Sequence, residues 1–166
     1  MMSLSNHPYR FFSEAEAFLQ VWEDTLQSMS GDQIRCVLGV WDQTEQEWFD
    51  DAPMLVEFSR GTLSVNVSCE RELAIGWNDI LRSEPPVWLD AQQLENECEG
   101  LDWEENLCWR EYHPVKACFG KKVSWVDLIQ NEVGLTGLTF QMEDGGCVQI
   151  LDVGDVIAGV YQKPEL

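Results

Sequence analysis

The sequence predicts an α+β domain: an antiparallel β-sheet or partly open barrel with an N-terminal amphipathic helix packed on it. Three observations lead there. Helical spacing occurs once, near the N-terminus; apolar and polar residues alternate in two later stretches; and eight tryptophans give an acidic chain the means to build a core. At 166 residues the simplest organisation is a single domain, 1–166, able to bury roughly 70% of its unfolded surface.

The helix is read over 13–30. Ser13-Glu14-Ala15-Glu16 has the form of a capping box, in which Ser13 accepts from the Glu16 amide and Glu16 reaches back. Apolar residues then recur at 15, 18, 19, 22, 26 and 29, while Glu16, Gln20, Glu23, Asp24 and Gln27 form the opposite, polar face. Gly31 supplies the stop. The pattern suits a helix that covers a sheet.

A first β unit is expected over 34–77. Ile34 to Trp41 is rich in strand formers, and Thr44 to Asp51 is polar enough for a loop or twisted hairpin. Met54–Phe58 and Thr62–Val67 flank Ser59-Arg60-Gly61, which predicts a hairpin closing near Gly61. Leu63, Val65 and Val67 alternate with Thr62, Ser64, Asn66 and Ser68, as in a half-buried strand. A second unit over 121–161 repeats the plan. Lys121–Ile129 is a strand candidate, Leu138, Phe140 and Met142 alternate with polar residues, Asp144-Gly145-Gly146 makes a turn, and Val148 and Ile150 begin the return. Each hairpin precedes a similar segment, Glu72–Gly76 or Asp155–Gly159, so the two halves read as similar β-meander units. Duplication of a three-strand unit and the general likeness of antiparallel hairpins both account for that.

Between the units lies an irregular, acidic, Trp-rich connection, 84–118. Pro85-Pro86 breaks regular structure, Asp90 can cap a short helix through Cys98 with Gly100 ending it, and Trp103 to Tyr112 reads as a strand or ordered loop ended by His113-Pro114. Trp88, Trp103, Trp109 and Tyr112 make it an ordered connection within one domain and not a linker.

Charge narrows the function. Thirty Asp and Glu oppose ten Lys and Arg, a formal net charge of -20. Such a surface attracts basic partners and repels nucleic acid, and only Lys121-Lys122 is locally basic. No apolar run is long enough for a membrane span, and MMSLSNHPYRFF lacks the features of a secretory signal, so no membrane association and a cytoplasmic location are expected. The six cysteines form no C-x-x-C pair; Cys36 and Cys147 sit in apolar runs and read as small core residues.

Catalytic equipment is sparse. His113, with Cys108 and Cys118 five residues to either side, does not match zinc spacing, and no phosphate-binding glycine motif occurs. No cofactor or metal is therefore expected. Carboxylate pairs such as Asp50-Asp51 and Glu104-Glu105 could serve a glycosidase, but among thirty acids some pairs fall at any chosen separation. From Glu84 to Glu111 there are nine acids and one basic residue, Arg110, interleaved with three tryptophans. A second acidic run, Asp42–Asp51, surrounds Trp48 and Phe49. Carboxylates around aromatics suit a Lys- and Arg-rich partner, through charge pairing and cation–π contact. The residues expected to bind it are Glu95, Glu97, Glu99, Asp102, Trp103, Glu104, Glu105 and Trp109.

The expected function is thus a non-enzymatic acidic binding protein, an inhibitor of the immunity type that neutralises a basic protein such as a toxin or nuclease. The alternatives are a small-ligand or carbohydrate-binding β-domain with Trp platforms, and an enzyme with an unrecognised carboxylate site. The sequence leaves the oligomeric state open.

Overall fold

The computed structural model describes residues 10–50, 52–68, 70–80, 82, 106–154 and 156–165. One helix, α1 (Ala15–Ser28), precedes five strands: β1 (Ile34–Asp42), β2 (Glu47–Trp48), β3 (Met54–Phe58), β4 (Thr62–Val67) and β5 (Leu73–Trp77). After the connection come β6 (Leu107–Glu111), a short 3₁₀ helix (His113–Cys118), β7 (Val123–Gln130), β8 (Leu135–Met142), β9 (Cys147–Asp152) and β10 (Ile157–Gln162). All pairings are antiparallel. β1 pairs with β2, β3 and β6, β3 with β4 and β4 with β5 in one sheet; β7 to β10 form a simple meander in the other.

The α+β class is as the sequence predicts, with two sheets facing each other where one sheet or barrel was expected. Backbone bonds stitch their edges. The Ile34 N–H donates to the Lys121 carbonyl, the Leu135 N–H to the Arg71 carbonyl, and the Ile157 N–H to the Asp50 carbonyl, each at 3.0 Å. Both halves contain a three-strand meander, β3–β4–β5 and β8–β9–β10, and the turns fall at Ser59–Gly61 and Asp144–Gly146.

One core fills the space between the sheets. Val37, Val56, Phe58, Leu63 and Val65 from the first meet Leu138, Phe140, Val148 and Ile150 from the second, with the rings of Phe58 and Phe140 6.0 Å apart. Burying each such side chain is worth about 1.5–3 kcal/mol. The helix contributes Phe18, Leu26 and Met29, while Glu16, Gln20, Glu23, Asp24 and Gln27 stay exposed. Its approach to β7 is fixed by Ser30 Oγ donating to the Ser124 carbonyl and the Gly31 N–H to that of Val123, both at 2.7 Å. Gly31 has φ +78°, the left-handed geometry that ends the helix.

Two local expectations are corrected. The capping box does not form: the N-cap is Glu14, extended at φ -109° and ψ 128°, and no side chain caps the helix. Phe12 explains this. Its N–H and carbonyl both bond Leu73 and its ring packs edge-on against Phe18, so Ser13 leaves a strand-like anchor and the helix starts one residue too late for the box. Ser64 should face outward from β4, yet it is fully buried. Its hydroxyl donates to the Asp79 carboxylate at 3.0 Å, because the residues after β5 fold back over that face.

In the connection, the described part of the predicted strand is β6, and the 3₁₀ helix starts at His113 with Pro114 in its first turn. The helix proposed between Asp90 and Cys98 lies outside the described residues. No described helix is long and apolar enough to cross a membrane.

Candidate functional site

The site is built where β1 runs out of the core. Val37 is buried between the sheets, but two residues on, at Gly39, there is no side chain, and at Trp41 the same face is half-buried. Glycine within a strand marks a close approach. A methyl group on Gly39 would lie 3.2 Å from Trp48 and from Tyr112, and one on Gly159, in β10, would lie 3.1 Å from the same Tyr112 ring. Two glycines from opposite sheets thus make room for one tyrosine.

Around Tyr112 the aromatic residues gather. Trp41 and Trp48 are direct cross-strand partners, with ring centroids 5.1 Å apart and nearly perpendicular. Trp48 lies 4.9 Å from Tyr112, and the Arg110 guanidinium sits 4.3 Å above the Trp41 ring. That last contact is a cation–π pair within the chain.

The hairpin beyond them carries charge. Asp42 is committed to the turn, its carboxylate accepting from the Thr44 and Glu45 amides at 2.8 and 3.0 Å. Gln46 takes φ 58° and its N–H donates to the Asp42 carbonyl, which brings the chain back into β2. Glu45 and Glu47 are left exposed on the tip, and Asp50 follows at the mouth of a shallow cleft. That cleft is lined by Gly39, Trp48, Asp50, Tyr112 and Ile157 among others, and its free space is about 200 Å³ with open solvent included. Burial pushes the Asp50 carboxyl up from its ordinary pKa. Burial also raises the Tyr112 phenol; a backbone hydrogen bond at Gly159 opposes this and the charge of Asp50 adds to it.

The described end of the connection joins the sheet here. Along β1, Asp42 pairs with Leu107 and Trp41 with Cys108, and the Gln43 N–H donates to the Asn106 carbonyl at 2.8 Å. Asn106 and β6 are thereby set beside the acidic hairpin. β6 and β2 lie on opposite edges of β1: the Val40 carbonyl accepts from Phe49 and the Val37 carbonyl from Tyr112, three residues apart and so on opposite sides.

Of the residues the sequence nominated, Glu95, Glu97, Glu99, Asp102, Trp103, Glu104 and Glu105 lie outside the described residues, as does Trp88. Trp109 is described. It pairs with Val40 and faces away from Trp41, half-buried against one apolar group of Cys36, Leu38, Leu55 and Ile80 and another of Val40, Ala52 and Leu107. Its indole nitrogen is buried without a partner among the described residues. Sequence reading passed over Trp41, Arg110, Tyr112 and Gly39. The glycine within an apolar strand and the Trp41–Trp48 pair around a polar turn were the available signals.

Elsewhere, His113 is exposed and Cys118 fully buried. Among the described residues no three His, Cys, Asp or Glu side chains are grouped to hold a metal ion, and Cys36, Cys108, Cys118 and Cys147 are free thiols. Lys121, half of the only basic pair, bonds Asp144 at 2.5 Å and the Tyr161 hydroxyl at 2.7 Å. Comparison with protein-family models, with curated proteins and with solved structures found no match to this chain.

Proposed function

We propose that this chain is an acidic binding protein whose partner is a basic protein, and that it acts as an inhibitor of the immunity type. The observation that carries the reading is the exposed acidic tip of the β1–β2 hairpin, Glu45 and Glu47, beside the Trp41–Trp48–Tyr112 group. Asn106 bonds Gln43 beside that tip, and β6 continues from it along β1. The acids of the hairpin tip thus stand at one end of β1, next to an aromatic group that already holds a guanidinium. Carboxylates around a desolvated aromatic centre suit Lys- and Arg-rich surfaces, which are steered in by the field and held by the rings.

The size of the cleft favours this over small-ligand binding. Pockets for small molecules run to about 300–1,000 Å³, whereas this shallow cleft has room for little more than one water molecule.

The test is affinity capture from native lysate with the intact chain, followed by identification of stoichiometric partners and repetition with Glu45→Gln/Glu47→Gln. A basic protein held one-to-one and lost with the double variant is expected. A neutral or acidic partner, or a basic one indifferent to the variant, contradicts the reading.

A further inference from the structure

We propose that the outer face of the second sheet, β7 to β10, is a dimerisation surface that meets the same face of a second copy of this chain. It belongs to a different sheet from the acidic hairpin, and its use does not require a basic partner.

Alternation along these strands sends one set of side chains, Phe140 and Ile150 among them, into the core and the other set outward. Outward go three residues from each of the four strands, twelve in all, aligned in cross-strand rows. Asp127 alone of these is charged, on a chain with thirty acids. Trp125 is 54% exposed at one border of the face and Val160 41% at the other. Of the five large apolar side chains that the described residues leave exposed, four belong to this sheet, Val133 and Val153 standing in the turns at one end of it.

The polar groups of the face are already bonded to one another. The Trp125 indole N–H donates to the Asp127 carboxylate at 2.7 Å, the Gln149 amide to the Thr139 hydroxyl at 3.2 Å, and the Cys147 thiol to the Gln162 side-chain oxygen at 3.5 Å. Covering groups that have partners leaves little unmet, so the face is desolvated at small cost. A sugar would find few free donors there. The occupant is a protein surface.

Charge selects the second copy. A basic partner is drawn to carboxylates and gains nothing from a face that nearly lacks them. Two chains of -20 repel wherever their acids are dense, and this face is where they can touch. It is also self-complementary, as a two-fold interface requires. A two-fold axis parallel to the strands, between β8 and β9, lays β7 of each copy over β10 of the other. Trp125 and Asp127 then lie against Gln162 and Val160, which end the same two rows at the opposite border. The two Asp127 carboxylates stay about 14 Å apart, three strand spacings, beyond the Debye length of about 8 Å in physiological salt. Twelve residues a side is about half of the roughly 20–30 in a standard interface, so the dimer is weak and populated from about 100 μM.

The test is sedimentation equilibrium of the intact chain at about 200 μM, in about 20 and about 300 mM NaCl. Salt screens the repulsion between copies, so the average mass should rise with salt from near 19.1 kDa towards twice that. This is the reverse of an association steered by opposite charge. Val160→Glu, set against Asp127 of the other copy, should weaken the dimer roughly ten-fold or more, whereas Val160→Lys, which pairs with it, keeps or strengthens it. Val21→Glu, at a similarly exposed valine on the helix, should change nothing. A chain that stays monomeric in high salt overturns the proposal. So does a dimer that dissociates as salt rises, that tolerates Val160→Glu, or that is lost equally in Val160→Lys or Val21→Glu.

Discussion

At the scale of single residues, burial decides what polar groups do. Cys36 lies in an apolar strand, as a small core residue should, but its thiol also donates to the Glu57 carboxylate at 3.0 Å, 3.5 Å from Arg82. Burial, with that bond and the carboxylate charge adding to it, pushes the thiol pKa up to about 12; burial does the same for Cys118. The fold thus favours the protonated thiols. Their contribution to stability is whole below pH 9, their unfolded value, and drains away as pH rises from 9 towards 12. The same shift predicts inertness. At pH 8 only ~10⁻⁴ of either thiol is thiolate, the reactive species. Alkylation by iodoacetamide, mapped by mass spectrometry, should spare Cys36 and Cys118 in the native chain and modify both in denaturant. Native labelling as fast as denatured labelling would contradict this.

At the scale of elements, the sequence was legible wherever local pattern and packing agree. The alternation of Leu63, Val65 and Val67 and of Leu138, Phe140 and Met142 placed β4 and β8, since these strands set one face on the core. The helix was readable from its 15-18-19-22-26-29 stripe for the same reason. Its start was not. The box at Ser13–Glu16 is a local signal, and a long-range bond from Phe12 to Leu73 overrides it. The start is therefore improvable. Glu14 already has the extended backbone of an N-cap but makes no cap bond, so Glu14→Ser should add about 0.5–1 kcal/mol of stability, read as a higher urea midpoint at unchanged slope. A lower midpoint would mean that Glu14 serves the fold in a way its geometry does not show. The candidate site was only half legible. Asp42–Asp51 could be recognised as an acidic, Trp-bearing turn, but the meeting of Gly39, Tyr112 and Gly159 requires two sheets to face each other, which no local pattern encodes. Trp109 illustrates the converse: the stretch of sequence that contains it is acidic, while its neighbours in space are Leu38, Leu55 and Ile80.

At the scale of the whole molecule, the net charge of -20 is a long-range field and the aromatic group beside the hairpin a short-range detail. A field governs encounter and its salt dependence; contacts govern how long a complex lasts. Substitutions at the hairpin tip, Glu45 and Glu47, should therefore slow association, and substitutions among the rings, at Trp41 or Trp48, should speed dissociation. The measurement that bears most directly on the central claim is the association rate with the captured partner, by stopped flow, from about 20 to 300 mM NaCl. A binder steered by its acidic surface associates far faster at low salt, towards about 10⁸ M⁻¹s⁻¹, and slows by an order of magnitude or more as salt rises; Glu45→Gln/Glu47→Gln flattens that slope. An association rate that ignores both salt and the double variant would contradict the account.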